Sequence, residues 1–192
     1  MADTASTTFS CSCGKMRGRV APAGPKTGTH LICHCRDCRA AARHLGHPDT
    51  AQNGVDLFQT SPDTIKFESG TEHLAILRLS PKGPLRWYAS CCRTPMFNTL
   101  SRPGLAFVTV LVANTDVPAV FGPVVAQGFV PQAGGPAKHK NGARMVMSIL
   151  SRLIAQRVSG RWKKTPFFDL ASGEPTAPVH LIGKEERAAL FD

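Results

Sequence analysis

The chain has 192 residues, enough to bury one sizeable core and short for two full domains. It is 42% hydrophobic and 19% charged, a globular composition, and no apolar run approaches the roughly 20 residues that a membrane span needs. A formal net charge of +10 raises the question of an anionic partner but says little about fold.

Residues 1–8 have neither the basic start nor the apolar stretch of a secretory signal, so they read as a disordered leader. The default is then a soluble, cytoplasmic protein. Phe9-Ser10-Cys11-Ser12-Cys13-Gly14 follows, and Lys15 to Val20 alternates apolar and basic residues as a half-exposed strand does. Pro22 to Gly28 is a loop. Leu31-Ile32 is a short strand leading into Cys33-His34-Cys35-Arg36-Asp37-Cys38. Asp37 is placed to cap a short helix from Arg39 to Leu45, which Gly46 ends.

The middle of the chain predicts strand after strand: Val55–Phe58, Ile65–Phe67, Leu74–Leu79 and Leu85–Tyr88, separated by Ser-Pro, Ser-Gly and Pro-Lys-Gly-Pro turns. Phe107–Val112 and Val124–Val130 extend the pattern. One longer amphipathic helix follows, from Gly142 to Val158. Met145, Val146, Ile149, Leu150, Leu153 and Ile154 keep helical spacing, with Arg144, Ser148, Ser151 and Arg152 on the other arc. An ordinary core helix is the expectation, and pairing with a second copy in a homodimer is the other use for so broad a face. Thr165–Asp169 and a terminal helix at Lys184–Leu190 complete the chain. The fold class is therefore mainly β, a β-rich α+β domain over residues 9–135, with a helical and loop extension over 136–192 packed on it.

Seven cysteines fall into three tight groups, Cys11/Cys13, Cys33/Cys35/Cys38 and Cys91/Cys92. Such close spacing suits thiolate ligation of a soft divalent ion, Zn2+ first, better than long-range disulfides. Three thiols in the central group leave one position of a tetrahedral ion open, the arrangement of a site that performs chemistry. His34, between two ligands, is expected to point away from the ion. Arg36 and Arg39 flank the group, where they could meet a carboxylate of an anionic thiol. Cys11 and Cys13 with the Cys91-Cys92 segment could form a second, structural site.

In order and spacing, Cys11-Ser12-Cys13-Gly14, the central motif and Arg86-Trp87-Tyr88-Ala89-Ser90-Cys91-Cys92-Arg93-Thr94-Pro95 resemble the glutathione-dependent formaldehyde-activating (GFA) or CENP-V domain family. The resemblance covers roughly residues 9–112. It implies an Mss4-like zinc-binding fold with two zinc ions, catalytic at Cys33, Cys35 and Cys38 and structural at the outer motifs. It also implies a carbon–sulfur lyase activity on glutathione and formaldehyde. The third motif departs from the family's Cys-x-x-Cys-Gly: its first cysteine becomes Ala89, its second is Cys92 and its glycine becomes Arg93. Cys91 could replace the lost ligand, a His or water could complete the set, or the metal could be absent; a weakened or empty second site is favoured, so one zinc is expected and two are admitted.

The function expected is a zinc-dependent carbon–sulfur lyase-like enzyme acting on a small, glutathione-like thiol and an aldehyde adduct. The alternative is a non-catalytic zinc module that meets nucleic acid or protein through the basic 138–164 tract, which has eight Lys or Arg and no acidic residue. Nucleic acid is not favoured, because Trp162 is the tract's only aromatic apart from His139. No membrane partner is expected.

Overall fold

A computed structural model describes residues 5–50 and 52–191. In chain order its strands are β1 (Thr7–Ser10), β2 (Arg17–Val20), β3 (Thr29–Cys33), β4 (Val55–Thr60), β5 (Ile65–Ser69) and β6 (Leu74–Arg78). They continue with β7 (Leu85–Ala89), β8 (Thr94–Thr99), β9 (Val108–Leu111), β10 (Ala126–Gln132), β11 (Gly135–Lys140) and β12 (Val179–Leu181). The helices are α1 (Arg36–His44), α2 (Gly142–Val158) and α3 (Lys184–Ala189).

Two sheets enclose the core. The small one is ordered β1-β2-β5 and the large one β11-β10-β3-β4-β9-β8-β7-β6-β12. Neighbours pair antiparallel except β10 with β3 and β12 with β6. Alternation places Phe9 and Val20 of the small sheet inward, where they meet Trp87, Phe97, Val108 and Val110 of the large one. The aromatic rings pack edge-on: Phe9 to Phe97 at 5.0 Å, Phe97 to Phe167 at 5.5 Å. The Phe9 ring lies so close over β2 that a Cβ at Gly18 would meet its Cζ at 2.5 Å, which explains the glycine there.

Several expectations shift. Thr7 and Thr8 of the expected leader lie in β1, where Thr7 is buried and its Oγ1 donates to Asp116; residues 1–4 lie outside the described residues. Strands β8, β11 and β12 are additional to those expected from the sequence. The proposed boundary after residue 135 falls at the first residue of β11, and the extension beyond it supplies Phe167 and Phe168 to the core.

The helix α2 has the predicted bounds but not the predicted packing. Its only buried residue is Gln156. Half-buried Met145, Ile149 and Leu153 turn inward together with Ser148 and Arg152, while Val146, Met147, Leu150, Ile154 and Val158 are exposed. The reason lies underneath: the surface that receives α2 offers polar partners. Ser148 shares a hydrogen bond with Thr29 at 2.8 Å, Arg152 donates to Thr29 at 3.1 Å, and Gln156 donates to the buried Asp63 at 2.9 Å. Those bonds select the side carrying Ser148, Arg152 and Gln156 as the inner one.

Candidate metal centre and its cavity

Strand β3 ends at Cys33, and the chain turns at once into α1. Cys35, in extended conformation, is the N-cap: its Sγ accepts from the backbone N–H of Cys38 at 3.3 Å. The cap is thus Cys35 and not Asp37, which faces Arg187 at 3.5 Å. One strand end, one cap and one first-turn position so bring three thiols together, with all Sγ atoms within 4.8 Å of one another. Cys38 and Cys33 stand 3.7 Å apart. Tetrahedral zinc with Zn–S bonds of about 2.3 Å places its sulfurs about 3.8 Å apart, so the donor set fits a thiolate-bound ion.

Electrostatics favour one thiolate in advance. Hydrogen bonds from Cys33 and Cys35, aided by the Arg86 guanidinium, hold the Cys38 thiol well below its usual value against the penalty of burial. Cys33 is correspondingly pushed far up by its bonds to Cys35 and Cys38. For Cys35, the lowering effect of Cys33 is outweighed by Cys38 and by burial, and its thiol rises to about 11.

Arg86 is the functional candidate that sequence reasoning missed. It lies on β7, 7% exposed, with Nη1 donating to Cys38 Sγ at 3.7 Å and to Asn98 Oδ1 at 3.3 Å. A charged residue inside the otherwise apolar Leu85-Arg86-Trp87 was the available signal. Of the predicted cationic pair, Arg36 stacks on Phe191 at 4.5 Å, and Arg39 grips Asp49 through two 2.8 Å bonds. Neither lines the cavity described below. His34 stands outside the thiol cluster, its ring against Gly54, whose left-handed backbone and missing Cβ leave room for it.

The second cluster is complete. Cys11 and Cys13 come from the turn after β1, Cys91 and Cys92 from the turn between β7 and β8, and all four Sγ atoms lie within 4.8 Å. Cys11–Cys13 is 3.5 Å, Cys13–Cys91 3.3 Å, Cys11–Cys91 3.9 Å and Cys91–Cys92 3.9 Å. The loss expected at Ala89 is thus met by Cys91, one of the three outcomes the sequence left open. Arg93 adopts φ 60°, the left-handed backbone that a glycine would supply, and its guanidinium bonds the carbonyls of Leu45 and His44 at the end of α1. Despite burial, hydrogen bonds from Ser12, Thr94 and the Cys13 backbone hold the Cys92 thiol at about 5. Burial and the neighbouring thiols push Cys91 up to about 12. Each cluster therefore has one thiol inclined to ionise first, and the donor set fits a closed four-thiolate ion.

Beside the central cluster lies a cavity of about 480 Å3, within the usual size of small-molecule sites. Cys38 and Arg86 form part of its wall, Ala41, Ala42, Leu45 and Leu111 its apolar side, and Asn98 and Asn114 add amides. Asn98 is held by Arg86 and Thr109, and Asn114 donates its amide to the Pro95 carbonyl at 2.7 Å, so their orientations are fixed.

The fold and these clusters define a class, a mainly β protein with two thiol groups each able to hold a metal ion. The chain belongs to the family of unknown function DUF6151, whose pattern it matches over residues 4–179. No curated protein matches it. Among solved structures it is similar to a Rhodobacter sphaeroides protein at 16% identity and a TM-score of 0.38, over 56% of this chain and 85% of that one.

Proposed function

We propose that the protein is a zinc-dependent carbon–sulfur lyase-like enzyme whose site is the cavity wall at Cys38 and Arg86. The observation that carries the reading is a three-thiol cluster, spaced for a tetrahedral ion, with one of its ligands in the wall of a preformed cavity. Cys33, Cys35 and Cys38 would hold the ion. When bound, such an ion supplies a Lewis acid that lowers the pKa of a thiol or water at its fourth position. The resemblance to the GFA family, with its Mss4-like fold, supplies the reaction class: a small thiol, glutathione-like, and an aldehyde.

The protein's own residues set the rest of the chemistry. Arg86 offsets the negative charge of three thiolates, whose sum exceeds that of a divalent cation by one. Ala41, Ala42, Leu45 and Leu111 keep the reacting pair away from bulk water, and the fixed amides of Asn98 and Asn114 orient polar groups. Thiolate sulfur adds to the aldehyde carbon, forming the C–S bond as the C=O π bond opens, and the carbonyl oxygen takes up the proton that the thiol gave up on ionising; the lyase direction reverses this. Cys11, Cys13, Cys91 and Cys92 would hold a second, structural zinc, now favoured over an empty site because all four sulfurs are assembled.

Metal analysis of the purified chain tests both halves of this reading. Two zinc ions per chain are expected, falling to one in Cys35→Ser, together with exchange between glutathione plus formaldehyde and their adduct by NMR, lost in the same variant. A metal-free chain that folds normally would sink the proposal. Two zincs without any thiol–aldehyde turnover would leave a non-catalytic zinc module.

A further inference from the structure

The exposed apolar arc of α2 is a surface feature that the proposed chemistry does not use. Met147 is 65% exposed, Ile154 64% and Val158 84%, and Val146 and Leu150 stand beside them. At 100° per residue, Leu150, Ile154, Met147 and Val158 form one outward stripe, with Arg157 on one border and Arg144 on the other. The inward side is already committed through Ser148, Arg152 and Gln156 to Thr29 and Asp63. The stripe therefore cannot be buried by the helix rolling over, because that would break the bonds seating it.

The charge around the stripe has one sign. Of the eight Lys or Arg in 138–164, Arg152 is turned inward and Arg161 pairs with Asp63, while Arg144, Arg157, Lys163 and Lys164 are exposed near the helix with Lys138 and Lys140 in the preceding strand. No acidic residue interrupts them. Trp162, just past the helix, has the Arg157 guanidinium 4.8 Å and the Lys163 amine 5.9 Å from its ring centre.

Three occupants can be weighed. A second copy would bring like-charged borders together with no acid to pair them. The stripe is also small: a 17-residue helix is about 25 Å long and 10 Å wide, on the order of 300 Å2, against about 800 Å2 per partner in a standard interface. Nucleic acid would find cations at the borders but an apolar centre facing its phosphates. A uniformly anionic surface with an apolar interior satisfies both: apolar side chains enter the acyl boundary, the flanking guanidiniums reach back to phosphates, and a tryptophan sits at the interface.

We infer that α2 docks the protein, lying flat and without spanning, on an anionic lipid surface through Met147, Leu150, Ile154 and Val158. This does not conflict with the described residues containing no helix long and apolar enough to cross a membrane.

Vesicle flotation of the full chain tests it, using phosphatidylcholine vesicles with and without 30 mol% phosphatidylserine, as on the order of tenfold tighter binding is expected from several cations near an anionic surface. Trp87 is buried in the core, so a blue shift of the remaining tryptophan emission on binding would report Trp162 entering the interface. Ile154→Glu/Val158→Glu should abolish flotation and leave metal content and thermal midpoint unchanged. The inference is overturned by no binding to anionic vesicles at low salt, or by binding that survives the double variant. It also falls if the wild type is a dimer that the double variant splits, or if duplex DNA is retained with equal strength.

Discussion

Arg86 carries a guanidinium into a strand whose other inward neighbours are apolar, a placement that costs free energy unless a negative charge lies close by. The Cys38 thiol, 3.7 Å away and held well below its usual value, is placed to supply that charge, and with an ion bound three thiolates would still exceed the charge of a divalent cation by one. The pair has a consequence that can be measured. Arg86→Gln should weaken zinc at the central cluster by about tenfold, the usual effect of removing a group that supports a metal ligand. Competition with a chromophoric chelator would show one site weakened and one unchanged, and Arg86→Lys should recover part of the loss. Equal weakening of both sites would instead mean general damage to the fold. Arg93 teaches the opposite lesson about reading single residues. A glycine replaced by arginine looks like a dismantled knuckle, yet Arg93 takes the left-handed conformation and is held there by the carbonyls of His44 and Leu45, 49 and 48 residues away in sequence. No local pattern could have revealed a compensation that far off.

The helix α1 is fixed at three points, which matters because it carries Cys38 and caps itself with Cys35. Arg93 holds its C-terminal carbonyls, and Asp49, in the loop that follows, binds both Arg39 and Arg43 on its side. Hydrogen bonds from Arg39, then Arg43, hold the Asp49 carboxyl well below the usual carboxylate value. The folded pKa is thus depressed, so this contribution is fully present above the ordinary value of 3.8 and fades as pH falls below it. Asp49→Asn should therefore lower the urea midpoint relative to wild type at pH 7, and the gap should narrow as pH drops below 4; a gap constant with pH would mean that the carboxylate charge plays no part. The element scale is also where sequence reading divides most clearly. Strands β4, β6 and β7 were legible because apolar residues and turn dipeptides bracket them. The bounds of α2 were legible from its 3.6-residue period, but its inner face was not: apolar residues occupy both sides, and the choice rests on Thr29 and Asp63, which no periodicity in the helix encodes. Strand β12 was missed because three exposed residues have no inward pattern, their place being set by parallel pairing with β6.

At the scale of the molecule, the two clusters stand in different mechanical positions. The central one ties the end of β3 to α1 within six residues of chain and closes no long loop. The outer one joins the β1–β2 turn of the small sheet to the β7–β8 turn of the large sheet, across a sequence separation of 78 residues between Cys13 and Cys91. Cross-linking so distant a pair removes many conformations from the unfolded chain, whereas the central link removes few. The sheets also meet through Phe9, Trp87 and Phe97, so the chain does not depend on metal alone as a zinc finger does. A moderate stability effect follows, confined to one cluster. Cys13→Ser, chosen because Cys13 is exposed and its loss leaves no cavity, should lower stability by about 2–3 kcal/mol, or about 5–10 °C in thermal midpoint for a chain of this size. Cys35→Ser should shift the midpoint much less while removing the central ion. Hydrogen exchange would separate the cases further: Cys13→Ser should speed exchange in β1 and β2, whose amides bond across the small sheet, and leave β3 and β4 protected. If Cys35→Ser proved the more destabilising of the two, the proposed division of labour between an outer structural cluster and a central reactive one would be reversed.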